Sequence, residues 1–133
     1  MRQETTGNAP AIVVSETDHE RLVELATAMS DRQPEVAEEL LEEMDRAEVV
    51  PPDAVPPHVV GMGSTVEYEA GGQSRRVTLV FPGDADIATG RISVFTPIGT
   101  ALIGLAEGQS IAWTARDGKT NQLTVRRVIR PDG

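Results

Sequence analysis

Residues 51–57 read PPDAVPP, and no regular element can run through them. Proline lacks a backbone N–H and its ring clashes with a preceding helical turn, so this cluster ends whatever comes before it. The hydrophobic period differs on its two sides. Before it, apolar residues recur three and four apart; beyond it, they alternate with polar ones. The chain is therefore expected to divide into a helical segment over 1–50, a stiff proline hinge over 51–58 and a strand-rich unit over 59–133.

The helical segment opens with polar residues 1–10, expected to be loose, and AIVV (11–14), a short strand or a hydrophobic lead-in. SETD (15–18) reads as a capping box, with the Ser15 hydroxyl serving a free N–H and Asp18 reaching back to the cap. Leu22, Leu25, Ala26 and Met29 carry a helix to about residue 29. SDRQP (30–34) is a turn, with Asp31 as the next cap and Pro34 in a first helical turn. EVAEELLEEMDRAE (35–48) follows, and Val36, Ala37, Leu40, Leu41, Met44 and Ala47 form one apolar stripe along it. Two amphipathic helices with a short link predict an antiparallel hairpin, with PPDAVPP ending the second helix.

Beyond the prolines, Val66 and Tyr68 alternate with Glu67 and Glu69, and Gly71-Gly72 signals a turn. RRVTLVFP (75–82) and RISVF (91–95) read as strands. TPIGTALIGL (96–105) contains a short helix, with Thr96 as cap, Pro97 at the first helical position and Gly104 as the stop. QSIAWTA (109–115) and NQLTVRRVIR (121–130) flank the hairpin signal Arg116-Asp117-Gly118-Lys119. The predicted fold class is α+β: a short antiparallel helical hairpin followed by an antiparallel β-sheet unit with one short helix.

Charge is distributed unevenly. Residues 1–50 hold thirteen acids against four Lys/Arg, whereas 51–133 hold eight of each, so the whole net charge of −9 sits in the first fifty. The sign argues against nucleic acid, which needs clustered Lys/Arg, and fits a basic protein surface. The acidic surface expected is Asp31, Glu35, Glu38, Glu42 and Asp45. Like charges at i, i+4, such as Glu38 and Glu42, each cost a helix ~0.2–0.5 kcal/mol. A solvated face and an electrostatic guide are both open readings of the run. Arg75, Arg76, Arg126, Arg127 and Arg130 could gather on one face of the sheet, as solubilising charge or as a contact.

Several classes of chemistry find no footing. There is no cysteine for a disulfide, a thiolate site or a nucleophile. His19 and His58 each lack a second ligand at metal spacing, and two isolated histidines support no Ser–His–Asp triad. Gly61-x-Gly63 precedes a strand, not a helix, so it is no dinucleotide fingerprint. Trp113 reads as a core residue. No catalytic residue, metal or cofactor is expected. No apolar run approaches a membrane span, the apolar stretch in MRQETTGNAPAIVV is too short for a signal peptide, and the cytoplasm is the expected compartment.

The strand-rich unit nevertheless carries a recognisable series. Gly63-Ser64-x-Val66, Leu79-Val80, then Ile92-Ser93-Val94-x-Thr96-Pro97-Ile98-Gly99-x-Ala101-Leu102-x-Gly104, Gly108 and Leu123-x-Val125 resemble the C-terminal domain of the GreA/GreB transcription elongation factor family. The likeness covers about 59–130. IVVSETDHERL and the proline segment resemble the family's Rnk branch. The resemblance implies an FKBP-like sheet domain around a short helix, and RNA polymerase as partner. The sheet domain would dock on a coiled coil of the largest subunit, at the entrance of the secondary channel. The contacts it implies fall at Ser93, Phe95, Thr96 and Pro97. Thr96 stands where the family has serine and keeps the hydroxyl. Phe95 stands where the family has a polar or acidic residue, and an outward Phe95 would itself be an anchor.

Family members place acidic hairpin-tip residues at the polymerase active site to promote cleavage of backtracked RNA. Here that role would fall to Asp31 and Glu35. A first helix of about fourteen residues spans only ~21 Å, so such a hairpin is expected to stop short. The reading is thus a non-enzymatic regulator that competes with longer channel-binding factors. The alternative is true Gre-type stimulation of cleavage. A third reading, an FKBP-like isomerase or peptide-binding module, sits poorly with only four aromatics: Tyr68, Phe81, Phe95 and Trp113. The branch's name links it to nucleoside diphosphate kinase; nothing in these residues shows such contact, and an indirect transcriptional effect would suffice.

Overall fold

A computed structural model describes residues 11–114 and 118–130, and of Trp113 and Thr114 the backbone alone. The readings of Trp113 as core and of Arg116-Asp117 as a hairpin turn therefore lie outside what is described.

The short-strand reading of AIVV holds: β1 is Val13–Ser15. Helix α1, Glu16–Met29, starts on Ser15, whose Oγ accepts the Asp18 N–H at 3.0 Å. Only half of the expected capping box forms. Asp18 does not turn back to the cap; its Oδ2 accepts the backbone N–H of Met62 at 3.2 Å. Leu22 and Ala26 are buried, and Leu25 and Met29 pack against the core more loosely.

Helix α2, Pro34–Arg46, has Pro34 in its first turn, as its fixed φ favours. Asp31 is not its cap. Gln33 occupies that position without a side-chain hydrogen bond. Ala37, Leu40 and Met44 are buried as the stripe requires, and α1 packs on α2.

The prolines do not end α2. Ala47 is already extended, and Glu48–Val50 forms strand β2. It pairs parallel with β1, in the register Val13↔Glu48, Val14↔Val49 and Ser15↔Val50. Glu48 also donates its N–H to Ile12 O at 2.9 Å. Val49 and Val50, β-branched and stiff at χ1, suit this pairing better than a helix end. The helix pair thus leaves and rejoins the body through adjacent strands. The prolines lie beyond, around a 3₁₀ turn at Pro52–Ala54.

The main sheet contains β3 Thr65–Ala70, β4 Gln73–Val80, β5 Arg91–Ser93, β6 Ser110–Thr114 and β7 Thr120–Ile129, in the order β5-β4-β3-β7-β6. Gly71 and Gly72, both at positive φ, join β3 to β4 in the two-residue turn expected. The sheet is antiparallel in three of its four pairings, as expected, but mixed overall. β5 runs parallel to β4, in the register Thr78↔Arg91, Leu79↔Ile92 and Val80↔Ser93. Its connection, 81–90, is no tight hairpin, and it returns the chain so that the edge strand runs with its neighbour.

Helix α3, Pro97–Leu102, forms as its sequence demands, and Gly104 follows at φ +83°. A side chain at Gly104 would also collide with Ile12, 2.7 Å from the position of its Cβ.

β7 carries one irregularity. Its register against β3 shifts between Glu67 and Tyr68, so Arg126 and Arg127 together face Glu67. This bulge resets the alternation: Leu123 and Val125 point inward, and the next inward residue is Val128. The Val128 N–H donates to Glu107 Oε2 at 2.8 Å.

One hydrophobic core joins the two ends of the chain. Leu79, Leu102, Leu105, Leu123 and Val125 from the sheet unit cluster with Ile12, Leu22, Leu40 and Met44 from the helical segment. Each such side chain contributes ~1.5–3 kcal/mol on full burial.

Candidate partner-binding surface

The chain turns sharply after β5, and three short polar groups hold the turn. Ser93 Oγ accepts the Phe95 N–H at 2.9 Å. Thr96 Oγ1 donates to Ser93 O at 2.8 Å and accepts the Gly99 N–H at 3.0 Å. Thr100 Oγ1 donates to Pro97 O at 3.0 Å. Gly99 makes the closeness possible. A Cβ there would overlap the Ser93 carbonyl oxygen and come within 2.7 Å of Val94 Cα. Ser93, Thr96 and Pro97 are half-buried.

Phe95 does not point outward. It is 4% exposed and belongs to the core. An inward Phe95 cannot act as a surface anchor; it pins the turn from beneath. The apolar ring gains more from the core than a surface position would return, and the neighbouring polar residues take the outer positions.

Asp31, Glu35, Glu38, Glu42 and Asp45 are all exposed, so the acidic surface exists on one helix and its preceding link. Among the acids of α2, Glu43 is answered by Arg46 at 2.6 Å. Glu39 holds its proton more tightly than a free glutamate. Partial burial is the main cause, and the charges of Glu42, Glu35 and Glu43 add to it. The structure brings this seam to the turn. Glu39, Glu42 and Glu43 line a groove of about 200 Å³ with Pro97, Thr100 and Ala101. Asp31, Glu35, Glu38 and Asp45 do not line that groove.

Four of the five arginines that could gather on the sheet, Arg75, Arg76, Arg126 and Arg130, have partners within the chain. Arg126 Nη2 meets Glu69 Oε1 at 2.7 Å, and Arg76 Nε lies 3.9 Å from Glu67 Oε2. Arg75 donates to Gln73, and Arg130 donates to Val55 O at 3.2 Å. His19 Nε2 lies 3.2 Å from Met44 O, a carbonyl in the last turn of α2 that also accepts the Ala47 N–H. Among the described residues, no group of three or more His, Asp or Glu could hold a metal ion. Nor, among them, is any helix long and apolar enough to cross a membrane.

Two contacts that no local pattern announces fix α1 to the sheet unit. One is Asp18 to Met62. Burial raises the Asp18 pKa, opposed by the Met62 N–H and by Arg21. The other is Arg21, whose guanidinium carbon sits 4.2 Å from the centre of the Phe81 ring. A cation over a ring face is attracted by its quadrupole.

Comparison with known proteins covers both halves of this architecture. A family model described as the C-terminal part of transcription elongation factor GreA/GreB matches residues 55–130, and one described as the Rnk N-terminus matches residues 10–50. The "Regulator of nucleoside diphosphate kinase" of Escherichia coli K12 is 34% identical over 118 residues, covering 87% of each chain. The "Transcription elongation factor GreA" of Nitratidesulfovibrio vulgaris (strain DSM 19637 / Miyazaki F) is 38% identical over 78 residues, 57% of this chain and 49% of that protein. Among solved structures, "Prokaryotic transcription elongation factor GreA/GreB from Nitrosomonas europaea" superposes with a TM-score of 0.72 at 37% identity. It covers 89% of this chain and 98% of its own.

Proposed function

Because the chain belongs to the GreA/GreB family of transcription elongation factors, in its Rnk branch, we propose that it regulates transcription by binding RNA polymerase near the secondary channel without promoting transcript cleavage itself. The FKBP-like sheet unit would dock on the largest-subunit coiled coil through the outer atoms of Ser93, Thr96 and Pro97, with Phe95 bracing them. The acidic helical hairpin would lie at the channel mouth, drawn to basic surface there. By occupying the entrance it would exclude longer factors through mass action. It would do so in the cytoplasm, and any effect on nucleoside diphosphate kinase would follow indirectly from transcription.

The observation that carries this reading is the meeting of the hydrogen-bonded turn with the α2 acids across one groove. It makes two separate sequence features parts of one surface. The reach of the hairpin supports the absence of cleavage: α1 has 14 residues, or ~21 Å at ~1.5 Å per residue.

Purified core polymerase should retain the wild-type chain, and retention should fall when Pro97 or Thr96 is replaced. Equal retention of both variants would remove the turn from the interface; no retention of the wild type would remove the polymerase reading. Exposure of Asp31 and Glu35 near the link keeps a second reading in view, a Gre-type cleavage factor. Stalled complexes supplied with magnesium decide it. Shortening of the transcript that depends on Asp31 and Glu35 would establish the second reading.

A further inference from the structure

Ile87 is 86% exposed, and Val49 at 42% is the other exposed large hydrophobic among the described residues. A single apolar side chain on a surface is ordinary. What distinguishes Ile87 is how firmly it is mounted.

Asp86 and Arg91 exchange two backbone hydrogen bonds, at 2.8 and 2.9 Å, and close the loop at its base. Asp86 Oδ1 caps the turn by accepting the Ala88 N–H at 3.1 Å. Thr89 donates both its N–H and its hydroxyl to Asp86 O, each at 3.1 Å. Gly90, at φ +79°, donates its N–H to Ile87 O at 3.0 Å. The Ile87 backbone is thus fixed while its side chain faces water. Binding through such a residue loses little loop entropy, the cost that most weakens contacts made by flexible segments.

The position matters equally. The Ile87 loop enters β5 at Arg91, and the turn at Ser93 leaves from its other end. The two are separated by one short edge strand, ~10 Å at ~3.3 Å per residue. β5 is an edge strand of the sheet, so both lie at the ends of that edge. Asp84 and Asp86 stand beside Ile87 and are exposed.

We infer that Ile87 is the apolar anchor of a second polymerase contact, seated in an apolar socket rimmed by basic side chains next to the site taken by the 93–97 turn. The inference rests on the polymerase reading above. It adds a hydrophobic, salt-insensitive contact to a surface otherwise described by polar groups and acids.

The test measures binding of the full chain to purified core polymerase at two salt concentrations. Variants are Ile87→Asp, Ile87→Ala, Ile87→Leu and, as a control, Val49→Asp. Thermal melts confirm that each is folded. Ile87→Asp should weaken binding by about tenfold or more, as loss of a central anchor does. Ile87→Ala should fall between it and the wild type, and Ile87→Leu and Val49→Asp should bind normally. The loss should persist at high salt. Normal binding by Ile87→Asp and Ile87→Ala, with the wild type bound, would overturn the anchor and leave the polymerase reading standing. Failure of the wild type to bind would overturn both. If sedimentation shows a wild-type dimer that Ile87→Asp converts to monomer, the residue serves self-association and the anchor is overturned.

Discussion

Gly99 lies so close to the Ser93 carbonyl that no side chain fits between α3 and the end of β5. Gly99→Ala should therefore push the helix off the turn. Overpacking of this kind costs ~1–3 kcal/mol. The displacement would also break the Thr96 hydrogen bonds on both sides. Urea denaturation should show the lower midpoint, and polymerase binding should fall by more than the loss of folded protein explains. A variant as stable as wild type would show that the turn has slack.

Asp18 supplies a pH signature. Its folded pKa is raised above the ordinary value of 3.8, chiefly by burial. For a group shifted this way, its stabilising contribution is complete below the unfolded pKa and declines as pH rises through the folded value. Asp18→Asn keeps an oxygen for the Met62 N–H but cannot ionise. Its stability relative to wild type should therefore improve between about pH 3.5 and pH 7. Asp18→Ala leaves that N–H without its partner and should be weaker than Asp18→Asn at both values. Denaturation midpoints of the three proteins at the two pH values settle the sign.

Arg21 and Phe81 should couple energetically. A double-mutant cycle with Arg21→Gln and Phe81→Leu should return ~0.5–1 kcal/mol, the range for a partly exposed cation over an aromatic face. A coupling of zero would mean that the ring serves only as packing.

The acidic face separates stability from binding. Reversing Glu38, Glu42 and Asp45 to lysine leaves 38 and 42 alike in charge but sets the new cations three residues from Glu35, Glu39 and Glu48, so the melting temperature should hold or rise. The same set should weaken polymerase binding at low salt, and the deficit should shrink as salt screens the attraction. Unchanged binding at low salt would reduce these residues to solvation.

Local chemistry was legible in the sequence, and distant pairing was not. Thr96, Pro97 and Gly104 mark α3 because cap, fixed φ and positive φ are properties of single positions. The Gly71-Gly72 turn and the α2 stripe read equally well. Asp18 was read as a local capping partner because nothing nearby announces Met62, 44 residues away. Val49 and Val50 looked like a helix tail because β1, which pairs with them, lies on the far side of both helices. Whether β5 runs parallel depends on the path of 81–90, and the burial of Phe95 depends on core residues distant in sequence. Of the proposed surface, the polar turn could be read directly; its junction with the α2 acids and the mounting of Ile87 came only from tertiary structure.

The pairing of β1 with β2 has one more consequence. Both strands of the helix pair's stem are held in register at Val13↔Glu48 through Ser15↔Val50, away from the link over 30–33. Whole helical turns inserted in matched numbers on either side of that link would lengthen the probe while leaving its socket untouched. Reach and attachment are therefore separately adjustable quantities in this architecture, much as a blade is exchanged without remaking the handle.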